Sequence, residues 1–172
     1  MSDERVQVSF QVKIEETPVG TITISLFPHT PVLAYNFVRL IQTGKLNNTK
    51  FFKMKQDYYI QGGDFEYNCG VGGQSSFGMK IYEGPKFKEF NKKFIIAMTN
   101  VGSHSTISQF FITLAPAVWL DGIMSPFGEV VKGKPHLDSL GFAALQEIQK
   151  VPVNEDGYLT KSVIMYDCKV TN

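Results

Sequence analysis

The chain has 172 residues, 43% of them hydrophobic and 19% charged, a composition that argues against disorder. Seventeen basic residues against sixteen acidic ones give a formal charge of +1, without the basic excess that a nucleic-acid partner calls for. No apolar run approaches the ~20 residues of a membrane span, no secretory leader is expected, and two cysteines, Cys69 and Cys168, make neither a disulfide framework nor a four-cysteine metal site. The expectation is one domain over 1–172, located in the cytosol or nucleus, with no nucleic-acid or membrane partner.

Val6, Val8, Phe10, Val12 and Ile14 alternate with polar residues, the period of a strand with one buried face. Thr17-Pro18-Val19-Gly20 reads as a turn, and Ile22, Ile24 and Leu26 then alternate again, so the chain opens with an antiparallel hairpin. Thr30 can cap a helix that begins at Pro31, where the missing N–H costs nothing. Leu33, Phe37, Leu40 and Ile41 follow at helical spacing and Gly44 suits the stop, which predicts a helix over 31–43. The stretch 50–131 is rich in glycine and aromatics and carries short β-like runs at 51–54, 58–61, 94–98, 109–114 and 127–131, as in a barrel or sandwich. Leu137, Leu140, Ala144, Leu145 and Ile148 restore the helical period, which Pro152 and Asp156-Gly157 break. Ile164, Tyr166, Cys168 and Val170 alternate and predict a last strand.

Short motifs announce no bond-making chemistry. His29, His104 and His136 lack ligand spacing, and Ser103-His104-Ser105 has no orienting acid. Gly70-Val71-Gly72-Gly73 lacks the ending of a phosphate loop. Neither a metal nor a cofactor is expected, and the two cysteines read as packing residues.

Larger blocks are more informative. Gln61-Gly62-Gly63-Asp64-Phe65, Ser108-Gln109-Phe110-Phe111-Ile112-Thr113, Trp119-Leu120-Asp121-Gly122 and Phe127-Gly128-Glu129-Val130-Val131 occur in order, with Asn36-Phe37 upstream. Together they resemble the signatures of the cyclophilins, the cyclosporin-binding peptidyl-prolyl cis-trans isomerases. The resemblance runs over about 6–170. It implies a mainly β fold, a closed eight-stranded antiparallel barrel capped by two α-helices, one over each end. It also implies action on Xaa-Pro bonds in protein folding, on proline-containing peptides or proteins, by a monomer.

Carried over by position, the resemblance makes Tyr58, Phe111 and Leu120 walls of a proline pocket. Gln61 and Asn100 become holders of the substrate backbone, and Trp119 the cyclosporin contact. Gly70, Gly72, Gly73, Met79, Val101, Ser105 and Thr106 match a neighbouring pocket. Departures from the family pattern fall at the site. Lys53 stands where the family has its catalytic arginine and Phe52 where a histidine precedes it. Tyr59 replaces a methionine, Thr99 an alanine and Met124 a histidine. Lysine keeps the charge but lacks the planar fork. A loss of preorganised donation worth ~2.7–4 kcal/mol lowers the rate ~100- to 1000-fold. Weakened isomerase activity and weak cyclosporin binding follow, the alternative being a non-catalytic proline-peptide or protein-interaction module. The stretch 140–158 looks longer than usual and reads as a solvated loop.

Overall fold

The computed structural model describes residues 5–82, 89–100, 106–131 and 140–171. Eight strands are formed: β1 (Gln7–Ile14), β2 (Thr17–Leu26), β3 (Thr49–Lys55), β4 (Tyr59–Gly62), β5 (Ile95–Asn100), β6 (Thr106–Thr113), β7 (Pro126–Val131) and β8 (Tyr158–Val170). Two helices, α1 (Pro31–Gln42) and α2 (Leu140–Gln149), and a short 3-10 turn, Val118–Leu120, complete the described elements. The strands close in the order β1-β2-β7-β5-β6-β4-β3-β8, with β8 paired back onto β1 and every pairing antiparallel. Closure leaves no sheet edge to template aggregation. This is the expected eight-stranded barrel with two helices.

One apolar cluster fills the barrel. Val8, Phe10 and Val12 of β1 meet Ile22 and Ile24 of β2, Phe51 of β3, and Phe110 and Ile112 of β6. The α1 helix adds Leu33, Phe37, Leu40 and Ile41, and α2 adds Ala144, Leu145 and Ile148. Phe110 is the hub, with Phe37 edge-on at 5.2 Å and Phe51 edge-on at 5.9 Å. The helices sit at opposite ends of the first hairpin. Ala34 and Val38 of α1 share a groove with Val6 and Leu26, whereas Glu147 and Lys150 of α2 share one with Ile14, Thr17 and Val19.

Several local expectations are corrected. The first hairpin turns at Glu15-Glu16, not at 17–20. Ile14 pairs with Thr17, Glu15 adopts φ 53°, and the Pro18-Val19-Gly20 stretch is strand carrying a bulge, where a proline is tolerated. Val6 is 43% exposed, so only Val8, Phe10 and Val12 of the alternating set are buried. Thr30 turns its hydroxyl onto the Phe27 carbonyl and caps α1 through its own carbonyl, which accepts the Ala34 N–H at 3.0 Å. The start of the second helix predicted at Leu137 lies outside the described residues. The stretch 140–158 is not a loop: it holds α2, then a turn fastened by a Val153–Leu159 bridge.

The last strand runs in the opposite phase over its first half. Val163 and Met165 are buried while Ile164 and Tyr166 face outward. An extra residue at Asp167 (φ 47°) then shifts the register against β1, so that Cys168 and Val170 pack on the core. The apolar period in the sequence crosses this bulge, and one inserted residue reverses the face.

Removing the hub has a predictable cost. Phe110→Ala leaves a cavity between α1, β3 and β6, and a loss of about 3–5 kcal/mol is expected from denaturant unfolding.

Candidate functional site

The register defines a row across the outer face of the barrel. Tyr158 of β8 pairs with Lys53 of β3, Lys53 with Gln61 of β4, Gln61 with Phe111 of β6, and Phe111 with Ala97 of β5. Directly opposed residues share a face, and the intervening Ile60, Ile96 and Ile112 point into the core. Lys53 reaches this face because Phe52 is an extra residue in β3 relative to β4. Phe51 stays in the core, while the Phe52 ring packs toward Gly70 and Tyr158.

A second apolar cluster grows on this outer face from Phe27, Phe90, Ile95, Ala97, Phe111 and Ala117, flanked by Tyr59, Leu120 and Met124. Phe90 stacks on Phe111 with centroids 6.2 Å apart. It is held there from both sides: its N–H donates to Asp121 Oδ1 at 2.8 Å, and its carbonyl accepts the Ala117 N–H at 2.8 Å. Asp121 thus earns its place in the Trp119–Gly122 block by anchoring the floor of the site. Above that floor opens a cavity of about 310 Å³. Tyr58, Tyr59, Gln61, Thr99, Phe111, Trp119, Leu120 and Met124 all line it, joined by Lys55, Thr113 and Ala117. Trp119 and Tyr58 form an exposed rim, with rings 5.7 Å apart.

The polar groups are tied down. Gln61 Nε2 donates to Gln109 Oε1 at 2.9 Å, and Gln109 Nε2 donates to the Gly72 carbonyl at 2.8 Å. The Thr99 hydroxyl donates to the Gln109 carbonyl at 3.2 Å. Asn100 stands behind the cavity wall, its Nδ2 3.6 Å from Met124 Sδ, while its buried Oδ1 has no hydrogen-bond partner among the described residues. Lys53 does not line the cavity. Its Nζ lies 5.5 Å from the centroid of the Tyr158 ring, on the far side of Gln61 from Phe111. The charged residue that does line it is Lys55, whose Nζ lies 4.6 Å from the Tyr58 centroid. Val101 and Ser105 lie outside the described residues, as does the Thr106 side chain, and Met79 is 70% exposed.

Sequence reasoning did not single out Lys55, Gln109 or Asp64. Lys55 follows Lys53 at strand period two, which puts both on one face. Asp64 is fully buried at the end of β4, and its carboxylate accepts five backbone N–H groups. Oδ1 takes those of Glu66 and Tyr67, and Oδ2 those of Cys69, Gly70 and Gly72, at 2.8–3.2 Å. The loop amides therefore point inward at a carboxylate, the reverse of a phosphate cradle. Burial pushes the Asp64 carboxyl up, but the hydrogen bonds from Tyr67, Gly70, Cys69 and Gly72 outweigh it and hold the pKa below its ordinary value.

Comparison with known proteins agrees with this geometry. The family profile for cyclophilin type peptidyl-prolyl cis-trans isomerases matches residues 10–170. The human and mouse proteins named peptidyl-prolyl cis-trans isomerase-like 1 are each 38% identical over 143 residues, covering 81% of this chain and 84% of theirs. The human NK-tumor recognition protein is 30% identical over 181 residues, which cover 98% of this chain but 12% of that much longer one. A crystal structure of a Cryptosporidium parvum cyclophilin type isomerase superposes with a TM-score of 0.83 over 98% of both chains, at 24% identity, a likeness of fold. The chain belongs to the cyclophilin-type peptidyl-prolyl cis-trans isomerase family.

Asp64 sets a measurable pH response. A depressed carboxyl pKa contributes stability that is complete above the unfolded-state value and is lost as pH falls through the folded-state value. The amide resonances of Tyr67, Cys69, Gly70 and Gly72 are expected to titrate together with a midpoint below 3.8. Asp64→Asn should abolish that titration and lower stability at pH 7, by on the order of 1–3 kcal/mol for each amide left without an acceptor.

Proposed function

We propose that this cyclophilin-type domain binds Xaa-Pro segments in the cavity over Phe111 and accelerates their cis-trans isomerisation, at a rate held down by the lysine at position 53. The observation that carries this reading is the cavity itself: an apolar floor of buried Phe111, backed by Phe90, beside a Gln61 amide already fixed by Gln109. A proline ring is the apolar, backbone-borne group that such a floor suits, and a hydrogen-bonded amide beside it suits the adjoining peptide backbone.

Rotation about the bond before proline has a barrier of ~18–20 kcal/mol, mostly amide resonance. No covalent bond changes, so neither nucleophile nor metal is required. The site must bind the twisted amide more tightly than either planar form. Twisting makes the proline nitrogen pyramidal and able to accept a hydrogen bond. A cation placed to donate to it lowers the barrier, because that acceptor is fully developed only at the twisted geometry. In this chain Lys53 is the donor, one strand away from Phe111 across Gln61. A single flexible ammonium replaces a planar two-pronged fork, and less preorganised donation means a slower enzyme. Tyr59, Thr99 and Met124 reshape the walls at the same site. The Thr99 hydroxyl is satisfied by the Gln109 carbonyl and costs the pocket no unpaired polar group. The two free thiols suit a reducing compartment, the cytosol or nucleus.

A protease-coupled isomerisation assay beside calorimetric titration with the same proline peptide tests the reading. Phe111→Ala should weaken peptide binding and lower kcat/KM together, since it empties the pocket. Lys53→Met should lower kcat/KM by about tenfold or more while leaving peptide Kd near the parent value. Peptide binding with no isomerisation by the parent protein would leave a proline-peptide interaction module.

Cyclosporin gives an independent readout of the rim. Trp119 is the single tryptophan of the chain, and it lies on the cavity edge beside Tyr58. Weak binding is expected to change its fluorescence only at high drug concentration. An unchanged spectrum together with a silent calorimetric titration would count against an open groove.

A further inference from the structure

The turn that follows α2 is built against the lysine of the site. Asn154 Oδ1 accepts the N–H groups of Asp156 and Tyr158 at 3.0 and 2.9 Å, which fixes a tight loop. Gly157, at φ +84°, lets that loop close onto β3, and the Met54 N–H donates to the Gly157 carbonyl at 2.9 Å. The position of a Cβ on Gly157 would lie 3.6 Å from Lys53 Cε and 3.8 Å from its Cγ, so the lysine stem runs along the turn. The same turn delivers Tyr158 directly opposite Lys53. The Tyr158 ring is braced by Phe52 at 6.5 Å, and its hydroxyl donates to the Cys69 carbonyl at 3.4 Å. The Lys53 ammonium lies over that ring and makes no ion pair among the described residues.

Lys53 therefore sits between two neighbours in the cross-strand row, Tyr158 on one side and Gln61, then Phe111, on the other. Opposed residues on neighbouring strands stand about 5 Å apart at Cβ, so a lysine side chain can extend to either side but not to both. A cation over a ring face is held by the ring quadrupole, and at an exposed site this hold is weak enough to be exchanged for a hydrogen-bond acceptor.

The geometry points to Tyr158 as a positioning residue that parks the Lys53 ammonium outside the cavity, so that isomerisation draws only on molecules in which the lysine has swung across Gln61. This rests on the reading of Lys53 as the donor to the twisted amide. It gives the 150–158 turn a role in setting the rate. The acceptor that draws the lysine across is the pyramidal nitrogen of the twisted amide, and the planar peptide before and after rotation leaves the lysine on the ring.

The experiment compares Tyr158→Leu with Tyr158→Phe, each alone and with Lys53→Met, using an Ala-Ala-Pro-Phe peptide. Tyr158→Leu should raise kcat/KM roughly two- to fivefold, the population shift that an exposed cation–ring contact is worth, with peptide Kd unchanged. Tyr158→Phe keeps the ring and should match the parent. In the Lys53→Met background the leucine change should have no effect. A second readout needs no catalysis: the Lys53 Hε resonances should be shifted upfield by the ring in the free protein. That shift should vanish in Tyr158→Leu and persist on saturation with peptide, whose planar amide offers the lysine no developed acceptor. A Tyr158→Leu rate at or below the parent with Kd unchanged overturns the proposal, as does a gain that persists without Lys53 or the absence of a ring shift in the free parent protein. A Lys53→Met variant as active as the parent is a different failure: it removes the donor role of Lys53, and the parking role falls with it.

Discussion

A single buried carboxylate organises the surroundings of the site. Asp64 has no exposure to solvent, yet it stays charged because five backbone amides converge on it. A buried charge is tolerable only when its hydrogen bonds are complete. The demand fixes the path of the chain from 66 to 72, and that path in turn presents the Gly72 carbonyl to Gln109, which aligns Gln61 in the cavity. The neighbouring glycines answer to the same packing. Gly63 is at φ +89°, and a Cβ there would stand 2.5 Å from the Ser108 carbonyl oxygen. Its own carbonyl accepts the Ser108 hydroxyl at 2.6 Å. The Gln61–Phe65 and Ser108–Thr113 blocks are therefore two sides of one contact, bound together by close backbone approach and by hydrogen bonds.

The second organising fact is that the barrel has two apolar faces at β5 and β6. Alternation sends Ile96, Phe110 and Ile112 inward to hold the fold and sends Ala97 and Phe111 outward to make the floor of the cavity. Adjacent phenylalanines thus face opposite ways, one the hub of the barrel and the other the floor of the cavity. Asn36 couples the two regions to α1: its Nδ2 donates to the Ile107 carbonyl at 3.2 Å, and its Oδ1 accepts the Ser76 N–H at 2.7 Å. The helix that closes one end of the barrel also steadies the strand from which the site is built.

The sequence by itself determined the class of the fold and most of the cavity. The period-two runs of β1 and β2, the helical spacing of Leu33, Phe37 and Leu40, and the glycine stop at Gly44 reflect local backbone preference combined with burial, and both are written in residue order. Eight of the resemblance-based site residues line one cavity, with Gln61, Phe111, Trp119 and Leu120 inside the ordered blocks and Tyr58, Tyr59, Thr99 and Met124 outside them. What only the tertiary structure decided depends on contacts between distant segments. The bulges at Phe52 and Asp167 reverse the face of every residue beyond them, and an inserted residue leaves no mark in an apolar pattern until its partner strand is known. Asp64 and Gln109 look like ordinary polar residues until their amide partners converge. The position of Lys53 over Tyr158, and of Lys55 at the cavity instead, follows from the register of β3 between β4, which follows it directly in the chain, and β8, which pairs with it from more than a hundred residues away. Side-chain direction at a site is set by which strands flank it, and pairing across such separations is a property of the closed barrel, not of any stretch of sequence.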